Sequence, residues 1–518
     1  MADIFGLTSG SNSDDITQLP THRDYDSYIN QWRFLKRSYL GGNEFKRGLY
    51  LTRYQYETEN EYYNRLTQAT VDNHCRSVVH IFNSFLYRQE PTREYGNISG
   101  PELEAFLKDA DLEGRSWNSF MGEVNIQSTI YGHCVVLVDR PETQVGTRAE
   151  ELEQGIRPYV NIVTPENILD WRFTRQPNGH YELEYIRILE QDDRPQQKSN
   201  EHYVKTWTPD TITLESYKPN AKKQMEIVDQ KPNLLGKVPA VWVYANRGPI
   251  KGIGVSDIND IAIAQRFLHE CWSEAEQLIR LTNHPSLVKT NSTQASAGAG
   301  AIITMPEELD GNLKPYLLQP SGGNLDAILN TIDNTIKSID RMAHLGAIRA
   351  IETRQMSGVA MQSEFLLLDA KLSEKARNLE LAEEQIFRLF ALWQGQSWDG
   401  EIKYPTAFHI RDKNLDMDLL KKASETNPAN PQVKALIDSK ILEVLSDNPE
   451  EYQEMIEHPE TTPADRSAHI QQMIMEGYTD QQILQIHPEI SQADIDAAKQ
   501  QLLNSNNEAA STTQTPAG

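Results

Sequence analysis

The stretch SDINDIAIAQRFLHECWSEAEQLIRLTN, residues 256–283, decides how this chain is read. Ser256 stands as its N-cap, and Ile258, Ile261, Leu268, Trp272, Ala275 and Ile279 recur near helical spacing. One amphipathic helix is therefore expected, stopped by His284-Pro285. At 1.5 Å per residue it would be about 40 Å long, more than a globular helix ordinarily needs. A Ser/Gly/Ala-rich insert follows, and then a second periodic stretch. Leu325, Ile328, Ile332, Ile336, Ile339 and Ala343 share its apolar face, and it closes near Leu345-Gly346, with Gly346 as the left-handed cap. A polar loop bounded by Gly346 and Gly358 leads into a third, longer stretch carrying Phe365, Leu368, Leu372, Ala376, Leu379, Ala382, Ile386, Phe390 and Trp393 ahead of Gly395. Glu364, Lys371, Glu374, Lys375, Arg377, Glu380 and Arg388 are expected on its solvent face. Three helices with two such interruptions describe a mechanical part rather than a catalytic pocket.

Upstream, residues 1–21 are polar and Ser/Asp-rich, an expected mobile arm. Short helices are expected between Tyr25 and Ala69, broken at Gly41-Gly42. A firmer one follows in TVDNHCRSVVHIFNSFLYRQEP, with Val78, Ile81, Phe82, Phe85 and Leu86 as its buried face and Pro91 ending it. Residues 102–131 predict two more helices, and HCVVLVDRP a buried strand. Further strands are expected at 158–164, 182–189, 202–208, 211–217 and 239–244, punctuated by Pro177-Asn178-Gly179 and Pro209-Asp210. Residues 22–250 thus form an α+β module. Short strands are expected in SLVKT and AIITM within the insert, and returning strands at 399–412. From Asn414 the chain is helical again and ends in a low-complexity, disordered tail at 504–518.

The 518 residues suffice for a sizeable core. A mean hydropathy of -0.59 suits an elongated or oligomeric subunit with much polar surface. The 74 acidic and 50 basic residues leave a net charge of -24, which disfavours stable wrapping of nucleic acid while allowing a surface past which DNA slides. Residues 413–518 hold 18 acidic and 7 basic side chains, 7 − 18 = -11 of that charge. Cys75, Cys134 and Cys271 lack CxxC spacing, so neither a disulfide framework nor a zinc site is expected. The N-terminus lacks the basic-then-apolar pattern of a secretory leader, and no apolar run reaches the roughly 18 residues of a membrane span.

Chemical motifs are scarce. SAGAGA at 296–301 lacks the GK[ST] ending of a phosphate loop, and Gly252-Ile253-Gly254 reads as a turn. Asp412, Asn414 and Asp416 begin like a calcium loop, but Met417 replaces the required Gly and Ala423 the terminal Glu. His269-Glu270-Cys271 lacks a zincin's second histidine and reads as a solvated or interface helix face; Glu383-Glu384 reads as a surface pair. No catalytic residue, cofactor site or metal site is assigned.

The order of these parts resembles the portal proteins of tailed double-stranded DNA bacteriophages over residues 25–410. YNRLTQATVDNHCRSVVHIFNSFLYRQEP is similar to the helical start of the portal wing, IYGHCVVLVDRPE to its helix-to-strand step, and YVNIVTPENILDWRF to the next wing strand. GIGVSDINDIAIAQRFLHECWSEAEQLI resembles the first stem helix, and SGVAMQSEFLLLDAKLSEKARNLELAEEQIFRLFALW the long wing helix beyond the channel loop.

The resemblance implies a helix-rich α+β subunit in a ring, typically of twelve copies, at one capsid vertex of the virion, assembled in the host cytoplasm. Through it DNA is packaged and ejected. It implies a wing at 22–250 and 359–412, stem helices at 254–283 and 322–345, a clip at 284–321, a channel loop at 346–358 and a crown at 413–503. Stem packing would use Ile258, Ile261, Leu268, Trp272, Ile328, Ile332, Ile336 and Ile339. Clip contacts would use Leu287, Val288, Ile302 and Ile303, and Arg349 and Arg354 would meet DNA. Implied partners are double-stranded DNA, the large terminase subunit, capsid and scaffolding proteins, and a head-completion adaptor, with no membrane. Two other classes compete with a portal: a nucleic-acid-processing enzyme of the packaging apparatus, and a non-viral helical scaffold or adaptor protein.

Overall fold

Tyr25, Ile29, Trp32 and Leu35 return every three or four residues, so the segment coils as helix α1 (Tyr25–Leu40) with these four side chains buried on one stripe. Gly41, at φ 67°, ends it and opens the short α2 (Gly42–Lys46). In the computed structural model the described residues are 19–141, 150–151, 154–190, 202–217, 225–283, 286–289, 315–318, 323–346, 358–406 and 408, together with Gln471, Ile474, Ile495, Ala498 and Lys499. The chain divides into two compact units, residues 1–409 and 410–518. The expected arm, crown and tail lie almost wholly outside the described residues.

Helix α3 (Glu59–Gln68) opens on a reciprocal capping box between Thr58 and Glu61. Asn73 caps α4 (His74–Leu86) by accepting from the Arg76 N–H. The buried face of α4 is Cys75, Val78, Val79, Phe82 and Leu86, with Ile81 and Phe85 only half buried. The expected face is thus turned part of a residue step, because two layers, α1 and the helix at 117–131, flank α4. The helix also ends at Leu86, short of Pro91. Strand β1 (Thr92–Glu94), not foreseen from the sequence, precedes α5 (Pro101–Lys108) and α6 (Trp117–Tyr131).

The predicted buried strand is β2 (His133–Asp139), every residue of which is buried. It is the centre of a three-stranded antiparallel sheet between β3 (Tyr159–Val163) and β9 (Ala240–Tyr244). That placement explains the unbroken apolar run, since both faces of β2 are covered. A separate antiparallel meander runs in chain order through β4 (Ile168–Arg175), β5 (Tyr181–Glu190), β6 (His202–Trp207), β7 (Thr211–Tyr217) and β8 (Met225–Pro232). Strands β3, β5, β6, β7 and β9 fall where the sequence predicts them; β8, almost wholly exposed, with Ile227 and Val228 open to solvent on its two faces, was not legible.

The remaining elements are α7 (Asn259–Asn283), the strands β10 (Ser286–Val288) and β11 (Tyr316–Leu318), α8 (Gly323–Met342), α9 (Gly358–Trp393) and β12 (Glu401–Lys403), which pairs with β1. The protein is therefore mixed α+β. Among the described residues no helix is long and apolar enough to cross a membrane.

Gly132, at φ +88°, ends α6 and lies against the chain just before α7: a Cβ there would be 2.6 Å from the Gly254 carbonyl. The Ala245 N–H donates to the Gly132 carbonyl, and the Asp257 N–H and Ser256 hydroxyl both donate to the Thr129 carbonyl. This backbone crossing fixes where α7 enters.

Candidate functional site

Helix α7 begins at Asn259, not at Ser256. The Ser256 oxygen instead accepts from the Ile258 N–H at 3.1 Å, forming a turn that holds Asp257 beneath the helix. The first half of α7 is bolted to the body. Gln265 accepts from the Cys75 N–H and donates to the Ser38 carbonyl, both at 2.9 Å, joining α1 to α4. His269, expected on a solvated or interface face, is instead buried and bonds the Thr70 carbonyl through Nδ1 at 2.9 Å. Burial holds its pKa down, so the ring is neutral with the proton on Nδ1. Cys271 beside it is buried as well. Arg65, paired with Glu57 at 2.8 Å, reaches Ser273.

Beyond Ala275 burial ends: Ile279 and Leu281 are exposed. Helix α8 shows the converse order: near its start Asn324, Asp326 and Ala327 are exposed, while Ile332 and Ile339 further along are buried. Ile258, Ile261 and Leu268 are buried on the α7 side, and Trp272, Ile328 and Ile336 pack half-buried against the same core. The antiparallel β10–β11 pair continues both helices, so α7 and α8 form a hairpin, tied to the residues around Thr70 as far along α7 as Glu276. Leu287 and Val288 lie in β10, whose partner is β11; AIITM, with Ile302 and Ile303, lies outside the described residues.

Helix α8 closes with a left-handed residue, but it is His344, at φ 55°, rather than Gly346. The Leu345 N–H donates to the Asp340 carbonyl and the His344 N–H to that of Arg341, the double bond pattern that seals a helix end. Residues 347–357, with Arg349 and Arg354, lie outside the described residues.

Helix α9 has 36 residues, about 54 Å of helix, and ends at Gly395 (φ +71°) as the sequence predicts. Two buried charge clusters anchor it. In the first, Asp257 accepts from Lys371 and Lys375, each at 2.7 Å, and Lys375 also donates to Thr129 at 2.7 Å. Burial pushes the Asp257 carboxyl up, but Lys375 and Lys371 outweigh it and hold the carboxyl at about 2. In the second, Glu383 receives Arg93 from β1, the Trp117 indole N–H at 2.6 Å and the Tyr404 hydroxyl at 2.6 Å. For Arg93, burial lowers the pKa, yet Glu383 more than offsets it and leaves the guanidinium firmly charged. Phe387 and Phe390 complete this end, with ring centroids 5.1 Å from Trp117 and 4.6 Å from Phe106 respectively.

Lys375 and Glu383 thus correct the expectation that both face solvent; they are 2% and 0% exposed. Their neighbours did carry a signal. Leu372, Ala376, Leu379, Glu383, Ile386 and Phe390 step by three and four, so Glu383 sits on the apolar stripe itself. Upstream of Lys371 the helix is less embedded, and Leu366 and Leu367 are 63% and 55% exposed.

The chain is accordingly an α+β body with a helical hairpin and a long, charge-anchored helix. No family model matches it, and no curated protein does. Among solved structures it is similar to a chain of the virion of a native gene transfer agent particle, at 10% identity and TM-score 0.41, over 83% of this chain and 99% of that one. It is also similar to a chain in the neck of the empty particle, at 8% identity and TM-score 0.41, over 75% and 96%. A third is the neck of the native particle computed with C12 symmetry, at 9% identity and TM-score 0.38, over 70% and 89%. At these values, function is left to the molecule's own geometry.

Proposed function

We propose that this chain is the portal subunit of a tailed-phage-like particle, a non-enzymatic ring component that conducts double-stranded DNA into and out of a capsid. The observation that carries this reading is the hairpin α7–β10–β11–α8 followed, after residues 347–357, by a long helix locked into the body through Asp257 and Glu383. Such a part transmits position without chemistry. α7 and α8 serve as the stem, residues 284–321 as the clip that docks the packaging motor and later the connector, and residues 346–358 as the channel loop. Residues 22–250 and 359–412 form the wing, and 413–503 the crown.

A closed ring is heterologous, so each subunit must present two different faces to its neighbours. Ile263, Phe267 and Leu281 are exposed on α7 on the side away from its core stripe, and Leu366, Leu367 and Leu381 on α9. These supply exposed apolar surface on two helices from which such faces could be built. The acidic balance of the chain keeps DNA from adhering during passage.

Electron microscopy of the purified full chain is expected to show a closed ring of about twelve copies with an axial channel. A monomer under every assembly condition overturns the reading, and ATP hydrolysis by the chain alone would turn it toward an enzyme. Within assembled particles, Arg349→Ala with Arg354→Ala is expected to lower DNA packaging or retention several-fold. If both are unchanged, the loop has no DNA role, although the ring reading stands.

A further inference from the structure

One surface departs from the acidic character of the chain. Strands β4 and β5 pair Arg175 with Tyr181 and Phe173 with Leu183, which puts these four side chains on one face of the ribbon. Arg172, Glu182 and Glu184 alternate to the opposite face, where Arg172 pairs with Glu184 and Lys237 with Glu182. Against the first face lies the turn 247–254, closed by a bridge between Arg247 and Gly254. It is pinned there by three hydrogen bonds: the Trp171 indole N–H to the Lys251 carbonyl at 3.1 Å, the Trp242 indole N–H to the Gly252 carbonyl at 3.0 Å, and the Gly252 N–H to the Tyr244 hydroxyl at 3.2 Å. Gly252 is at φ +91° and packs on the Trp171 indole, leaving no room for a side chain.

The result is a built platform that displays three cations. The Lys251 ammonium lies 2.8 Å from the Tyr181 ring centroid and 5.2 Å from that of Phe173. The Arg175 guanidinium is 5.9 Å from Tyr181, and that of Arg247 is 5.6 Å from Tyr244. Arg175, Arg247, Lys251 and Tyr181 are all exposed. None of the three cations has a carboxylate within ion-pair distance among the described residues. Partial desolvation of the Lys251 ammonium, together with the like charge of Arg247, lowers its pKa, so the two cations repel each other.

We propose that this face, formed by Arg175, Arg247 and Lys251, binds the phosphate backbone of duplex DNA. Cations placed together without acids are matched by a polyanion, and phosphodiester contacts need positive charge rather than base-specific donors. The Lys251 ammonium covers a face of the Tyr181 ring, so that ring supports the cation and is not free as a base-stacking surface; a duplex fits better than an unpaired strand. The basic face stands on its own geometry, and only the choice of DNA among polyanions rests on the portal reading.

The test is fluorescence anisotropy of the full chain with a labelled duplex over a salt series. The variant combines Arg175→Gln, Arg247→Gln and Lys251→Gln, and the control is Lys403→Gln, an exposed lysine on β12 paired with Glu401. The triple variant is expected to bind more weakly, with the slope of log K against log salt shallower by about 2 to 3, and the control to keep the wild-type slope. Melting curves of both variants should match the wild type, because the changed side chains are exposed. Equal slopes for wild type and triple variant overturn the proposal, as does an absence of duplex binding at low salt. Stronger competition by polyglutamate than by unlabelled duplex also overturns it and assigns the face to an acidic protein; a marked preference for single strands overturns it too. Microscopy separates the two readings. A ring whose DNA binding ignores these residues loses only this inference, whereas residue-dependent DNA binding by a chain that never forms rings loses only the portal.

Discussion

Glu383→Ala is expected to destabilise the folded body by about 3–5 kcal/mol, read as a lowered urea midpoint. The substitution strands the Arg93 guanidinium, 8% exposed, beside an emptied site, and removes the acceptor of the Trp117 indole and the Tyr404 hydroxyl. The cost is that of an unpaired buried charge, not the net worth of the ion pair. Glu383→Leu combined with Arg93→Met removes both partners and should recover much of the loss. A single variant within about 1 kcal/mol of wild type, the scale of an exposed pair, would show that the cluster is open to water. Because Glu383 joins α9 to β1, to α6 and to the chain after β12, the same variant should loosen the whole seating of α9.

Asp257→Asn is expected to cost about 3 kcal/mol near neutral pH, since Lys375 remains buried without its counter-charge. Its pH dependence has a definite sign. The folded pKa of the carboxyl, about 2, lies below its ordinary value of 3.8, so the stability it contributes is complete above about pH 4 and is lost as pH falls through 2. The gap between wild type and Asp257→Asn should be flat from pH 5 to 7 and narrow by roughly 2 kcal/mol in that acid window. A gap unchanged down to pH 2 would disprove the assignment of the shift to this carboxylate. Lys371→Ala, which removes the more exposed partner, should cost less than Lys375→Ala.

Helices α4, α7 and α8 were legible because apolar residues repeat with the helix's own period, a property of neighbours in the chain. The strands β3, β5, β6, β7 and β9 were legible for the corresponding reason, with turns between them marked by Pro, Asn, Asp and Gly. β8 was not, because neither face of it is buried and no alternation results. Gly346 was the natural choice of left-handed cap, yet His344 takes that conformation, since the cap is set by which carbonyls the last turn leaves free. The basic face was also invisible: Arg175, Tyr181, Arg247 and Lys251 come from two segments that only the seating of the 247–254 turn on Trp171 and Trp242 brings together.

By itself the sequence determined the order of the long helices and of most strands of the body, though not β1, β4, β8 or β11, because periodicity and helix stops act over a few residues. Only the tertiary structure decided which charges are structural. Lys375 meets Asp257 across 118 residues and Arg93 meets Glu383 across 290, separations over which no spacing rule operates. A lysine or glutamate looks the same in the chain whether it ends in water or in a core. Burial beside an opposite charge makes the difference, and burial is a property of the packed whole.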